Sequence, residues 1–281
     1  MTSQAPGPAL YDEPGPRTRR RIRIWSIVSA LVMVGLVVAA LVQFGSHGQL
    51  DAERWMPFLQ GAIWEYLLVG LAGTIQAAAI VAVLGAVIGL FLALGRLSRI
   101  TPVRWACTAY IEIARTIPVL LLIYLMLFGL PQLGLNLPLL WKLVIPLTVA
   151  NSAAFAEIIR AGVLALPRGQ AEAGLSLGLS RWQVDRKVVL PQALRFVTPS
   201  LVTQLVSLVK DTSLGYIVAF TELLYRGQVL SAYNGLLIQT FVVVTLIYLV
   251  FNGSLSALAS RLRRRPGAKS LATPSPSAAD A

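Results

Sequence analysis

The stretch YLLVGLAGTIQAAAIVAVLGAVIGLFLALG, from Tyr66 to Gly95, contains no Asp, Glu, Lys or Arg. An α-helix rises about 1.5 Å per residue, so about 20 apolar residues cross the hydrocarbon core of a bilayer. A segment from Tyr66 to Gly95 is therefore long enough to span a membrane with some tilt. It predicts an integral membrane protein built from α-helices, in which Gly85 and Gly89 allow another helix to pack closely.

Working outward, five more stretches have the length and apolar character of membrane helices. They are Ile24–Phe44, Ile117–Leu133, Leu143–Leu166, Phe196–Phe220 and Gly235–Leu258. For the first of them a cleaved signal peptide is the alternative, although its apolar run exceeds the roughly 7–15 residues typical of one. The pattern predicts an all-α, polytopic protein with about six transmembrane helices. An additional N-terminal helix at 24–44 lies between a disordered basic tail at 1–23 and the remaining five, and a disordered tail follows at 259–281.

The composition excludes several classes of protein. Charged residues make up 13% of the chain, against about 25% in soluble domains, and the mean hydropathy is +0.72. A nucleic-acid-binding protein could share the net charge of +12 but not this hydropathy. The single cysteine, Cys107, and the single histidine, His47, exclude an intrachain disulfide and a multi-histidine metal centre. We expect no cofactor.

The basic residues predict the orientation, because cytoplasmic loops of membrane proteins are enriched in Lys and Arg. With six spans and the N-terminus inside, the outer segments contain only Arg54, Lys142 and Arg226. The inner segments contain the basic residues of 17–23, 96–104, 168–195 and 261–269. We therefore expect a multi-pass protein of the cytoplasmic membrane with both termini in the cytoplasm.

The longest hydrophilic stretch within the helical region is QAEAGLSLGLSRWQVDRKVVLPQALR, from Gln170 to Arg195. Gly178 is expected to end a first short helix, since glycine is favoured just past a helix C-terminus. Ser180 and Gln183 have the spacing of a capping box for a second helix. Pro191 is expected to break that second helix, because proline has no amide hydrogen to donate. The alternative is a solvated basic linker.

This stretch resembles the EAA loop of the membrane subunits of bacterial ABC importers. Glu172-Ala173-Gly174, Gly178 and Leu190-Pro191 match that pattern in spacing, and Gly174 in place of a second Ala is the departure. The resemblance covers about 65–258 and extends to the polar amino acid branch of the family. The motifs that carry it are Arg115-Thr116-Ile117-Pro118, the segment Ser152 to Gln170, Pro191 to Arg195, and Lys210 to Leu214.

The resemblance implies a five-helix permease domain at 65–258 with a coupling loop at 167–195. It implies a translocation path for a polar amino acid, with glutamate or glutamine favoured. The implied partners are ABC ATPase subunits, a second permease subunit (a paralogue or a second copy), an extracytoplasmic solute-binding protein and the lipid bilayer. The implied ATPase-coupling residues are Glu172, Ala173, Gly174, Gly178, Trp182, Leu190 and Pro191. For Trp182, a position at the lipid headgroups is the alternative.

Polar residues inside the predicted spans are candidates for the translocation path, because ionisable groups in a membrane are costly and often functional. Each also has a structural alternative, in which it holds helices together; Glu157 and Arg160, three residues apart, could pair with each other. The candidates are Ser152, Glu157, Arg160, Lys210, Asp211, Thr212 and Ser213.

The sequence contains no Gly-x-x-x-x-Gly-Lys-Ser/Thr loop for ATP, so hydrolysis is expected in a partner and this chain is expected to be no enzyme. An ion-coupled secondary amino acid transporter is the main alternative function. Such a carrier is expected to show two related halves, and no such internal repeat is visible. A membrane-embedded enzyme needs a convergent set of catalytic groups, for which the predicted spans offer no histidine and few carboxylates.

Overall fold

The structure, a computed structural model, describes residues 15–263. The ends of the two predicted tails, at 1–14 and 264–281, lie outside the described residues, while residues 259–263 of the second predicted tail belong to the last described helix. Every regular element of 15–263 is helical, which confirms the all-α prediction. The α-helices are α1 Pro16–Ser46, α2 Ala52–Trp55, α3 Gly61–Arg96, α4 Thr101–Thr116, α5 Val119–Tyr124, α6 Leu130–Gln132, α7 Leu139–Ala165, α8 Arg168–Ser176, α9 Arg181–Val184, α10 Leu190–Asp211, α11 Leu223–Asn234 and α12 Leu237–Arg263.

The chain divides into two units between Leu59 and Gln60. In the first unit, α1 is a helix of 31 residues that begins at Pro16. The residues up to Arg23, predicted as a disordered tail, differ here from the prediction, since the basic run forms the first turns of α1. Proline is favoured at the first position of a helix and arginine is a good helix former. The side chains of residues 17–46 are exposed all round the helix.

The second unit is built on the packing of α3 against α7. These helices run in parallel, with Gly85 against Asn151 and Phe155 and with Gly89 against Ser152 and Ala156. A methyl group at Gly89 would lie 2.8 Å from both Phe155 Cβ and the Ser152 carbonyl oxygen. The absence of a side chain therefore permits this close approach, as the glycine spacing predicts. One apolar cluster at this interface comprises Ala77, Val81, Ile123, Leu143, Val144, Leu147, Leu208 and Val218.

The chain between α3 and α7 forms a bent element rather than one straight span. α4 and the α5–α6 segment meet at an angle of 93°, at the break around Ile117 and Pro118. Proline cannot donate a helical hydrogen bond and disfavours helical geometry in the residue before it. α4 packs its apolar face on a second cluster, which comprises Ala93, Ile111, Ala114, Ala153, Ala156 and Ile159.

α10 runs antiparallel to α7, since Gln204 hydrogen-bonds Asn151 and Val197 contacts Gly162. Within the described residues, four helices (α1, α3, α7 and α12) are long and apolar enough to cross a membrane, and the bent α4–α6 segment adds a fifth if it is one span. α10, which overlaps the predicted span Phe196–Phe220, is not among these helices. Arg195 near its start and Lys210 and Asp211 at its end shorten its apolar stretch.

Candidate functional site

The predicted coupling loop begins with α8, which ends in a hydrogen-bonded glycine turn. The Leu179 amide donates to the Gly174 carbonyl at 3.3 Å and the Gly178 amide donates to the Leu175 carbonyl at 3.0 Å. This pair of bonds is the Schellman motif, in which the residue after the helix takes a left-handed conformation. Gly178 has φ +79. The predicted helix end at Gly178 is therefore confirmed.

The second short helix begins with the predicted capping box. The Ser180 hydroxyl accepts from the Gln183 amide, and the Gln183 side chain accepts from the Ser180 amide at 2.8 Å. The prediction that Pro191 breaks this helix is wrong. A π-helical turn at Asp185–Val189 leads directly into α10, and Pro191 lies in the first turn of α10. The Leu190 amide donates five residues back to the Asp185 carbonyl, so the π-helical turn keeps the helix continuous at the point where proline lacks an amide hydrogen.

Gly174, the departure from the family pattern, lies where α8 packs on α9. Gly174 is buried, and a methyl group there would lie 2.9 Å from Cγ2 of Val184. Val184 is itself 2% exposed. Its side chain therefore occupies the space that an alanine methyl would need. The glycine and the valine together keep the two short helices in contact.

The predicted coupling residues divide into an exposed and an inward-facing group. Glu172, Ala173, Gly178, Trp182 and Pro191 are exposed, with Trp182 at 64%. Gly174 is buried, and Leu190 packs against the cluster of α4 and α7. Sequence reasoning missed Leu177, an apolar side chain next to Gly178 that is 83% exposed.

Glu157 lies in a network of ion pairs that joins three helices. Its carboxylate accepts from Arg160 of the same helix at 2.6 Å and from Arg96 at the end of α3 at 2.9 Å. Arg96 also binds Glu112 of α4 at 2.7 Å. Two guanidinium groups and two carboxylates balance each other in charge, and the network ties the ends of α3, α4 and α7 together.

The structure does not bring the seven predicted path residues together. Ser152 is buried, donates to the Val149 carbonyl and lies 3.1 Å from the Tyr110 hydroxyl. At the other end of the bundle, the hydroxyls of Thr212 and Ser213 donate to carbonyl groups three residues earlier.

Lys210 is exposed and Asp211 is half-buried. The 3₁₀ turn that follows them, Thr212–Val218, packs Gly215 on Leu143 near the start of α7. Leu143 is 14 residues before Glu157, a distance of about 21 Å along a helix. The predicted path residues therefore occupy two levels of the bundle.

A pocket of about 470 Å³ opens beside the end of the helical core that carries the 3₁₀ turn. Three phenol rings and an amide provide its polar groups, and no charged side chain lines it. Its lining residues are Tyr124, Tyr216, Ile217, Tyr225, Gln228, Val229 and Ala232. Its volume falls in the usual range of about 300–1,000 Å³ for small-molecule sites. The sequence prediction placed no residue of this pocket in the path.

Sequence reasoning also missed Glu222, a buried carboxylate that caps α11. The signal for α11 was present, because Thr221-Glu222 before an apolar run is typical of a helix start. The contact between Glu222 and Tyr248 could not be predicted in this way, since Tyr248 follows 26 residues later on another helix.

Comparison with known proteins agrees with this architecture. Residues 85–266 match the family model described as binding-protein-dependent transport system inner membrane component. The chain is 39% identical over 223 residues to the glutamate transport system permease protein GluD of Corynebacterium glutamicum, covering 78% of this chain and 82% of that protein. It is 36% identical over 208 residues to the glutamate/aspartate import permease protein GltK of Escherichia coli O157:H7, covering 71% of this chain and 93% of that protein.

The fold is also similar to a solved structure. A crystal structure of an amino acid ABC transporter with histidines superposes with a TM-score of 0.68 at 31% identity, covering 72% of this chain and 94% of that one. The family model, which matches residues 85–266, covers the α8–α9 loop and the helices that pack around α7, apart from the part of α3 before Gly85. The predicted resemblance is thereby confirmed, and the chain belongs to the family of inner membrane components of binding-protein-dependent transport systems.

Proposed function

We propose that this chain is the permease subunit of an ABC importer for a polar amino acid, with glutamate or glutamine as the substrate. Two relatives named for glutamate, each more than 35% identical, support the substrate class. ATP hydrolysis takes place in partner ATPase subunits, and an extracytoplasmic binding protein delivers the amino acid. A second permease subunit completes the path.

The observation that carries the proposal is the rigid helix pair α8–α9. A Schellman turn and a capping box fix the angle between the two helices, and Gly174 against Val184 holds them in contact. In this proposal the two helices move as one body with the ATPase subunit that binds them. Glu172, Leu177 and Trp182 form the docking surface on it, because a carboxylate and two exposed apolar side chains suit a groove on a partner protein.

The path in this proposal passes from the tyrosine-lined pocket to the level of Glu157. Phenol hydroxyls can donate to the α-carboxylate of an amino acid and the ring faces attract its ammonium group. Lys210, Asp211, Thr212 and Ser213 lie at the pocket level of the chain, while Ser152, Glu157 and Arg160 lie towards the coupling loop. The N-terminal helix at 24–44 and the five-helix domain at 65–258 lie in the membrane with the coupling loop and both termini in the cytoplasm.

Uptake into sealed proteoliposomes tests the proposed function. The vesicles contain the importer complex with ATP inside, and binding protein and labelled glutamate or glutamine are added outside. We expect uptake that requires the enclosed ATP and continues when ionophores collapse proton and sodium gradients. Uptake that follows those gradients and ignores ATP would contradict the proposal and favour an ion-coupled carrier.

Trp182→Ala tests the docking surface. Aromatic anchors at interfaces are typically worth about 2 kcal/mol, so we expect the ATPase to bind the permease more than about tenfold more weakly. Co-purification and titration of the ATPase onto the detergent-solubilised permease measure this change. Trp105→Ala is the matched control, since Trp105 of α4 is 69% exposed and lies outside the loop. Equal effects of the two substitutions would contradict the assignment.

A further inference from the structure

Glu222 is completely buried. Its carboxylate accepts hydrogen bonds from uncharged donors on two helices. Its Oε1 accepts from the Tyr225 amide at 2.6 Å, and its Oε2 accepts from the Leu224 amide at 2.8 Å. Oε2 also accepts from the hydroxyl of Tyr248 on α12 at 2.9 Å. The carboxylate therefore caps the N-terminus of α11 and links that helix to α12 at the same time.

The turn that carries Glu222 is seated on two glycines of α3. A methyl group at Gly73 would overlap the carbonyl oxygen of Thr221, and one at Gly70 would lie 3.0 Å from the Leu223 Cα. The Leu223 amide donates to the Thr74 hydroxyl at 3.2 Å, across 149 residues of sequence. Backbone contact without intervening side chains leaves this turn little room to shift.

One turn further along α11, Arg226 adds a second attachment to α3. Its guanidinium donates to the Tyr66 carbonyl at 2.9 Å and lies 4.4 Å from the centre of the Tyr66 ring. The first two turns of α11 are thus fixed to α3 by Thr74 and Tyr66 and to α12 by Tyr248.

The other side of α11 forms a wall of the tyrosine-lined pocket. Tyr225, Gln228, Val229 and Ala232 line it, and their spacing of three, four and seven residues places them on one helical face. Tyr225 belongs to both systems, since its backbone amide is bound by Glu222 and its side chain lines the pocket. The position of the α11 residues that line the pocket therefore depends on the capping of α11 by Glu222.

We propose that Glu222 is a positioning residue for transport, which holds α11 so that the pocket wall keeps the shape that the amino acid meets in passage. This inference rests on the proposed function. A serine or threonine cap could satisfy the α11 amides alone, but only a longer side chain with two oxygens also reaches Tyr248. Burial of a carboxylate is costly unless it is hydrogen-bonded, and here one carboxylate serves both helices.

The test compares Glu222→Gln with Glu65→Gln in the complete importer complex, reconstituted as above. Glu65 is an exposed carboxylate of α3 and serves as the matched control. A glutamine side chain presents one oxygen and an amide group that cannot accept, so one of the two α11 amides loses its acceptor, while the Tyr248 hydroxyl can accept from the new amide group. We expect the amount of amino acid transported per ATP hydrolysed to fall about fivefold, the scale of one lost helix cap. Glu65→Gln should leave the ratio unchanged.

If Glu222 had a merely structural role, its substitution would lower the yield of complex, and transport and ATP hydrolysis would decrease together. The ratio of amino acid transported to ATP hydrolysed would then stay unchanged, and that result would overturn the proposal. Tyr248→Phe provides a second variant if Glu222→Gln fails to assemble, because it keeps the α11 cap and removes only the link to α12. We expect it to lower the same ratio about twofold, and an unchanged ratio there counts equally against the proposal.

A second measurement is independent of transport. In a background with Cys107→Ala, a cysteine is placed at Gln228 of the pocket wall and its modification rate by a small thiol reagent is measured in detergent. We expect Glu222→Gln to change that rate at least about threefold, which corresponds to about 0.7 kcal/mol. An unchanged rate would overturn the proposal. Absence of ATP-driven uptake by the unmodified importer would instead refute the proposed function alone.

Discussion

At the scale of single residues, Gly178 and Glu157 show two different kinds of constraint. Gly178 has φ +79 and open space around its Cα, so the constraint on it comes from backbone conformation. Glu157 is constrained by its partners, since Arg96 and Arg160 both bind its carboxylate. The constraint on Gly178 is local in sequence, whereas that on Glu157 combines a local partner, Arg160, with a distant one, Arg96.

We predict that Gly178→Val separates insertion from coupling. A β-branched residue in the left-handed region costs about 1–3 kcal/mol, which reorients α9 relative to α8. The variant should insert normally, bind its ATPase poorly and lose the stimulation of ATP hydrolysis by the loaded binding protein. Co-purification of the complex followed by an ATPase assay measures both effects.

Gly134→Val is the matched control for this prediction. Gly134 also has φ +79 and nothing within 4 Å of an added Cβ, but it lies between α6 and α7, far from the loop in sequence. It should carry the same backbone strain without the loss of ATPase binding. If Gly178→Val retains full stimulated hydrolysis, the loop is not the coupling element.

For Glu157→Gln we predict a loss of stability. The substitution leaves Arg96 and Arg160 with one fewer negative charge, and the partial exposure of Glu157 (26%) limits the cost to about 1 kcal/mol. A protein of this size should then melt about 2–4 °C lower, measured by thermal unfolding in detergent. The double variant Glu157→Gln with Arg160→Gln restores the balance of charge and should recover part of the loss. An unchanged melting temperature combined with lost transport would instead assign Glu157 to substrate contact.

At the scale of elements, the α8–α9 pair behaves as one unit because small residues are placed at its contact. Glycine within a helix costs about 1 kcal/mol relative to alanine, and Gly174 carries that cost inside α8. The cost is offset by the packing of Val184, which fills the vacant space. The departure from the family pattern is thus explained by a neighbour ten residues away.

We predict that Gly174→Ala weakens the binding of the ATPase to the α8–α9 loop, even though alanine matches the family pattern. The added methyl group meets the side chain of Val184, whose rotamer is restricted in a helix, and overpacking costs about 1–3 kcal/mol. ATPase binding to the variant should decrease, as measured by titration. Gly174→Ala combined with Val184→Ala should bind more tightly than the single variant. Failure of the second substitution to restore binding would contradict this packing account.

At the scale of the whole molecule, much of the apolar surface is uncovered. The side chains of α1 from Arg17 to Ser46 are all exposed, as are many apolar residues on α3 and α12. Apolar side chains round a whole helix require lipid or another chain as their environment. The described protein is therefore suited to a bilayer and to partner subunits.

We predict an orientation with the α8–α9 loop in the cytoplasm, tested by cysteine labelling. In a Cys107→Ala background, Asn136→Cys between α6 and α7 should react with an impermeant thiol reagent in intact cells. Arg186→Cys in the coupling loop should react only after the membrane is permeabilised. Both positions are exposed, so accessibility of the side chain is matched. The reverse labelling pattern would contradict the orientation.

The features that depend on neighbours within one or two helical turns could be predicted from residue types and their spacing. Apolar length predicted the long helices α1, α3, α7 and α12, whereas Gly178 predicted the end of α8 and Ser180 with Gln183 predicted the start of α9. The same reasoning failed at Pro191, because the π turn before it could not be read from residue types. It also missed α11, whose 12 residues are too few for a membrane span.

The pairing of Glu157 with Arg160 three residues later could be predicted from their spacing, but polar residues that are distant in the sequence find their partners only through the packing of the helices. Arg96 meets Glu157 across 61 residues, Leu223 meets Thr74 across 149, and Tyr248 meets Glu222 across 26. Each pairing depends on where the helices turn back and on which glycines let two backbones approach. A residue type predicts that a buried charge needs a partner. The geometry of the packed helices selects that partner, because only there do distant parts of the chain come within hydrogen-bonding distance.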